Sequence, residues 1–150
     1  MARKPVPVEC KERESITLYG LWVRSNVYSW ESEWEHPMML YSTRSGDKGK
    51  RYVILENTDD KGNCDMFVGG LTPGKDVSEF VLPAGLYAST IVTPKLGFLW
   101  GLALDNANLY LRDDWSKAQG LKLDDFRMEV RDMMAKKPTV EIAYRVLPQE

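Results

Sequence analysis

The chain has 150 residues, with 20 Lys and Arg against 22 Asp and Glu, a net charge of −2, and 43 % hydrophobic residues. That apolar share is enough for one core and excludes global disorder. The balanced charge argues against generic nucleic-acid binding, and no apolar run approaches the ~20 residues that span a bilayer. Arg3 and Lys4 are followed by no apolar stretch, so no signal peptide is expected and a cytoplasmic location is.

The first extended segment is Val6 to Lys11, with Pro7 favouring a sheet edge. Ser15 to Arg24 alternates, with Ile16, Leu18 and Trp22 on one side and Thr17, Tyr19, Leu21 and Val23 on the other. Apolar residues on both sides predict a strand covered twice, and Gly20 predicts a bend or bulge. A helix is expected within Asn26 to Thr43. Ser32 and Glu35 have the spacing of a capping box, and Trp30, Trp34 and Met38 fall on one helical face. Pro37 fits a helix start and breaks a helix already begun.

Tyr52 to Glu56 and Asp65 to Leu71 read as a hairpin across the turn Thr58 to Asn63. Glu79 to Val92 reads as one long strand bent at Pro83 and Gly85. A second helix is expected from Leu96 to Leu111, with Leu96, Trp100, Ala103, Leu104, Ala107 and Leu111 as its apolar stripe. Phe126 to Asp132 and Thr139 to Leu147 are the closing strands, joined by a turn over Ala135 to Pro138.

Strand, helix, strand, strand thus occurs twice, within half-repeats of about 5–72 and 77–148. Gly20-Leu21-Trp22 parallels Gly85-Leu86-Tyr87, and Trp34 parallels Trp100. The expected fold is α+β, a single domain: two duplicated units forming one curved antiparallel sheet with two helices and a central groove. Grooves between halves commonly hold ligands.

Several chemistries lack their residues. Cys10 and Cys64 have no ligand-spaced partners, and His36 is the one histidine. No metal site, nucleotide loop or serine-hydrolase motif is present, and no cofactor is expected. Asp113-Asp114 and Asp124-Asp125 read as solvated loop charges. Glu31, Glu33 and Glu35 read as a helix N-terminal cluster.

The motifs in order resemble a known family. Val8-Glu9-Cys10-Lys11 and Tyr19-Gly20-Leu21 open the chain. Leu82-Pro83-Ala84-Gly85-Leu86-Tyr87-Ala88 and the Trp100 helix follow, then Met128-Glu129 and the strand from Val140 to Val146. Together they resemble the GyrI-like small-molecule-binding domain, which is also the effector-binding domain of multidrug-responsive regulators of the AraC and MerR types. The resemblance implies a bacterial protein whose groove binds hydrophobic, cationic compounds. Its buried cation-accepting glutamate falls at Glu129. Arg131 stands where the family often has Tyr, and Arg145 departs from its closing pattern. No helix-turn-helix region accompanies the motifs, so a stand-alone module without direct nucleic-acid contact is expected.

Period 2 places Arg127, Glu129 and Arg131 on one face of their strand and Phe126, Met128 and Val130 on the other. Arg131 is thereby close enough to neutralise the carboxylate. Candidate aromatic walls are Trp22, Trp30, Trp34, Tyr52, Trp100 and Tyr144, while Phe67 is expected in the core. Three functional classes are carried forward. The first is a binding module for hydrophobic cations, sequestering or sensing a drug or toxin. The second is a hydrolase of reactive electrophiles, with Glu129 and Tyr144 or Tyr52 orienting water. The third, implied by the resemblance alone, is a gyrase-inhibitor-like interaction module. A homodimer or a regulatory protein partner is compatible with each.

Overall fold

The computed structural model describes residues 3–94, 100–132 and 136–148, with Glu31 described by its backbone alone. Eight strands form one sheet: β1 (Glu9–Arg13), β2 (Ile16–Asn26), β3 (Lys50–Glu56), β4 (Asn63–Gly70), β5 (Ser78–Leu82), β6 (Gly85–Val92), β7 (Leu123–Asp132) and β8 (Val140–Val146). Their order is β1-β6-β8-β7-β3-β4-β2-β5 and every pairing is antiparallel. Exchanging β1 with β5, β2 with β6, β3 with β7 and β4 with β8 leaves that order intact when read backwards. The fold is the expected α+β sheet with helices on one face.

The sheet is strongly curled. Four strand spacings separate β7 from β5, about 19 Å in a flat sheet. Yet the rings of Phe80 on β5 and Phe126 on β7 stack with centroids 6.2 Å apart. Two short connectors impose the same closure. The pairs β1–β2 and β5–β6 are each joined by two residues, although their members lie near opposite ends of the order. The segment expected as one long strand is therefore two, divided at Pro83-Ala84. Pro83 donates no backbone hydrogen bond, and Gly85 takes a φ of 151° that side chains disfavour. The Tyr87 hydroxyl fastens this corner by donating to the Pro83 carbonyl at 2.6 Å.

The inner face of the curl buries Leu18, Tyr52, Ile54, Phe67, Tyr87, Phe126 and Met128. Gly20 lies in β2 where β4 and β5 flank it on both sides, opposite Gly69. A Cβ on Gly69 would stand 2.0 Å from the Tyr19 carbonyl oxygen, so close approach of the strands requires glycine there.

The outer face carries the helices. Trp30–Ser32 is a 3-10 turn, followed by α1 (Glu35–Ser45). The capping box is not formed: the Ser32 hydroxyl donates to the Ser29 carbonyl, and α1 starts at Glu35 with Pro37 in its first turn. Trp30, Trp34 and Met38 still share one cluster with Val53, Leu55 and Val68. The second helical segment comprises α2 (Gly101–Leu109), a π-helical turn (Tyr110–Trp115) and α3 (Ser116–Gln119). It extends past the expected end at Leu111; the expected start, 96–99, lies outside the described residues, as does residue 135 of the expected turn. Its buried side, with Leu104, Ala107 and Leu111, packs on Ala88, Ile142 and Val146.

Candidate ligand site

β7 supplies the centre of the site. Glu129 faces Val53 of β3 on one side and Ile142 of β8 on the other. Because β7 and β3 are the middle strands, this carboxylate stands on the seam between the halves. It is 2 % exposed. Arg127 and Arg131 approach it from both ends, with N–O distances of 2.5 and 3.2 Å to its two different oxygens. Period 2 along the strand delivers all three side chains to the outer face, as the sequence predicts.

The two tryptophans lie over these charges. The Arg131 guanidinium sits 4.9 Å from the Trp34 ring centre and 5.8 Å from that of Trp30. Arg127 sits 5.6 Å from Trp30. Each stacked contact contributes ~0.5–2 kcal/mol. A buried carboxylate with indole rings in its neighbourhood suits a cation acceptor, but here the protein's own guanidinium groups pair with the carboxylate and stack on the rings.

A cleft of about 810 Å³ opens beside the cluster. Leu55, Arg127 and Tyr144 form its sheet wall, Val27, Tyr28 and Trp30 a second wall, and Asn108, Leu109, Arg112 and Ser116 the wall of the second helical segment. Tyr144 is Arg127's partner across β8 and β7. Its hydroxyl donates to Asn108 Oδ1 at 2.5 Å. Burial pushes the Tyr144 hydroxyl well above its ordinary pKa, with nearby charges secondary, so it stays protonated. The π-helical turn forms part of this wall, a distortion common at functional sites. Ser116 donates to the Arg112 carbonyl within it.

Aspartates dominate the outer rim, where Asp59, Asp60, Asp105 and Asp125 are exposed. The acidic pairs expected in solvated loops are instead placed on elements and engaged. Asp113 pairs with Arg3 and Arg112, and Asp114 faces Arg3. Asp124 holds Arg145 at 2.5 Å, and Asp125 accepts the Thr58 N–H. Among the described residues no group of His, Cys, Asp and Glu can hold a metal ion. His36 and Cys10 are exposed, and Cys64 is buried.

The structure thus brings together Glu129, Trp30, Trp34 and Tyr144 from the expected set. It does not bring the others. Tyr52 and Trp22 point to the inner face, where Tyr52 packs with Met128 and Trp22 meets Phe67 at 5.2 Å. Trp100 immediately precedes α2 as Trp34 precedes α1, but it packs on the Ala88 and Val92 side. Phe67 is core, as expected. Arg127 as a second partner and Asn108 as the Tyr144 acceptor were not assigned from sequence. Arg127 was legible through its spacing; nothing local marked Asn108.

No protein-family model matches the chain, and no curated protein matches its sequence significantly. Solved structures do share its fold. The C-terminal domain of EcmrR superposes with a TM-score of 0.68 at 14 % identity, over 95 % of this chain and 98 % of that one. A putative bacterial transcription regulation protein from Staphylococcus aureus MU50 gives 0.66 at 12 %, over 96 % and 100 %. SAV2435 bound to tetraphenylphosphonium gives 0.64 at 12 %, over 95 % and 94 %.

Proposed function

We propose that this protein is a small-molecule-binding module of the GyrI-like kind, taking hydrophobic compounds into the groove between its halves. The observation that carries the reading is the buried carboxylate of Glu129 on the seam, paired with two arginines that stack on Trp30 and Trp34, beside a cleft large enough for a drug-sized ligand. The fold shared with regulator domains, and with a protein bound to a lipophilic cation, supports it. The role that follows is sequestration or sensing of the bound compound.

A cationic ligand is what the family resemblance implies. The tetraphenylphosphonium-bound neighbour and the acidic rim favour it. Against it, Arg127 and Arg131 already engage both oxygens of Glu129, so a cation must displace a guanidinium. The hydrolase reading has weaker geometry. Its carboxylate is doubly paired, and its tyrosine hydroxyl donates to Asn108 instead of orienting water.

Titration of intrinsic tryptophan fluorescence with a panel of hydrophobic compounds tests the reading. Trp30 and Trp34 are buried at the site, so an occupied groove changes their emission in a saturable way. A flat response to cationic, neutral and acidic members alike, with calorimetry equally silent, overturns it.

A further inference from the structure

The three charges on the seam do not balance. Glu129 carries one negative charge, while Arg127 and Arg131 carry two positive ones with side chains only 13 % and 17 % exposed. Each Glu129 oxygen accepts from one guanidinium, which leaves the pair of arginines with one positive charge in excess of that carboxylate. The Nε–H of each arginine is buried without an acceptor among the described residues. Among the described residues, Asp113 is engaged with Arg3 and Arg112, and Asp47 with Arg51. A buried donor or charge with no partner is costly and is normally met by something.

From this imbalance, we infer that the charged end of the ligand is an acid. The groove takes a hydrophobic or aromatic compound bearing a carboxylate, whose acid group sits on Arg127 and Arg131. Its rings lie against Trp30, Leu55 and Tyr144 in the adjoining cleft. The inference rests on the reading of the groove as a small-molecule site and specifies its ligand class.

Charge arithmetic separates the alternatives. An acid raises the cluster to two negative charges against two guanidinium groups. A cation leaves three positive charges on one carboxylate, in a site where low dielectric magnifies the repulsion. Guanidinium groups also match a carboxylate geometrically, through paired N–H donors. The indole faces that would attract a cation are already stacked on Arg127 and Arg131. Asp59, Asp60, Asp105 and Asp125 oppose an acid only from the exposed rim, where water and salt screen them.

The test uses three probes with one ring system: 2-naphthoate, 2-naphthamide and 2-naphthyltrimethylammonium, titrated calorimetrically into the wild-type protein. The expected result is naphthoate binding at least tenfold more tightly than either other probe. In Arg131→Gln, naphthoate is expected to weaken about tenfold while the amide stays within threefold. The wild-type ranking needs no variant, so a poorly folded Arg131→Gln leaves the test intact. A tighter cation or amide overturns the acid assignment and leaves the groove reading standing. Failure of all three probes and of the wider hydrophobic panel overturns both.

Discussion

Glu129 and Val53 are partners across β7 and β3, the two central strands of the sheet. The approximate exchange that relates the halves passes between them, yet one position is a carboxylate and the other an aliphatic side chain. Whatever ancestry the halves share, the centre of the groove is asymmetric. One half contributes Trp30 and Trp34 as the cover; the other contributes the Arg127–Glu129–Arg131 row beneath it.

Glu129→Gln is expected to destabilise the protein strongly. It removes the buried charge shared by two partly buried guanidinium groups, a change whose upper range is about 3–5 kcal/mol. The check is a urea unfolding curve with a lowered midpoint and an unchanged slope. Replacing Arg127, Glu129 and Arg131 together by Met should recover most of the loss, because the unpaired charges go with the carboxylate. A single variant as stable as wild type contradicts the buried pairing.

Asp47 makes stability depend on acid. Burial alone would raise its carboxyl pKa. The Gly49 N–H, the Thr72 segment, the Tyr41 hydroxyl and Arg51 outweigh burial and hold it below the usual range. A lowered folded-state value stabilises fully above the unfolded value, and the gain is lost as pH falls through the folded one. Asp47 therefore contributes its full share above ~pH 5 and loses it below ~pH 4. Asp47→Asn should lower the thermal midpoint near neutrality and flatten its fall below ~pH 4. An equal acid slope in wild type and variant counts against the assignment.

Gly69→Ala should cost about 2–3 kcal/mol, as overpacking does in a rigid setting. The added Cβ meets backbone of Tyr19 and Gly20, which cannot rotate aside. A thermal melt of the alanine variant shows the drop; an unchanged midpoint would mean that β2 and β4 are farther apart than described.

Tyr144→Phe should lower stability by about 1 kcal/mol through the lost hydrogen bond to Asn108. The local effect is more diagnostic. Amide exchange should quicken across Asn108 to Ser116, where the π-helical turn loses its tie to β8. Uniform protection in wild type and variant would sever the proposed link between that turn and the sheet.

Much of the fold was legible because strand periodicity is local. Arg127, Glu129 and Arg131 share a face by period 2 alone, and the structure places them so. Which face holds the site is a different question. In β3, Tyr52 and Val53 are both buried, one inward and one toward the helices. A strand covered on both sides gives no clue to which cover contains a cleft, so Tyr52 and Trp22 were equally eligible from sequence. The capping-box spacing of Ser32 and Glu35 misled for a related reason. The motif describes a side chain meeting backbone, and here Ser32 found the nearer carbonyl of the 3-10 turn instead. Asn108 needed the register of β8 against the second helical segment, which no local pattern encodes.

The exchanged edge strands have a consequence for synthesis. β1 pairs with β6, and β5 pairs with β2, so each half is completed by a strand from the other. A chain emerging amino end first has β1 available long before its partner exists. Glu9 waits for Ser89, and β3 waits for β7 before the middle of the sheet can close. Long-range pairings of this kind slow folding. The nascent chain must therefore carry unpaired strand edges through most of its translation, and its need for chaperone shielding should last until β7 and β8 have left the ribosome.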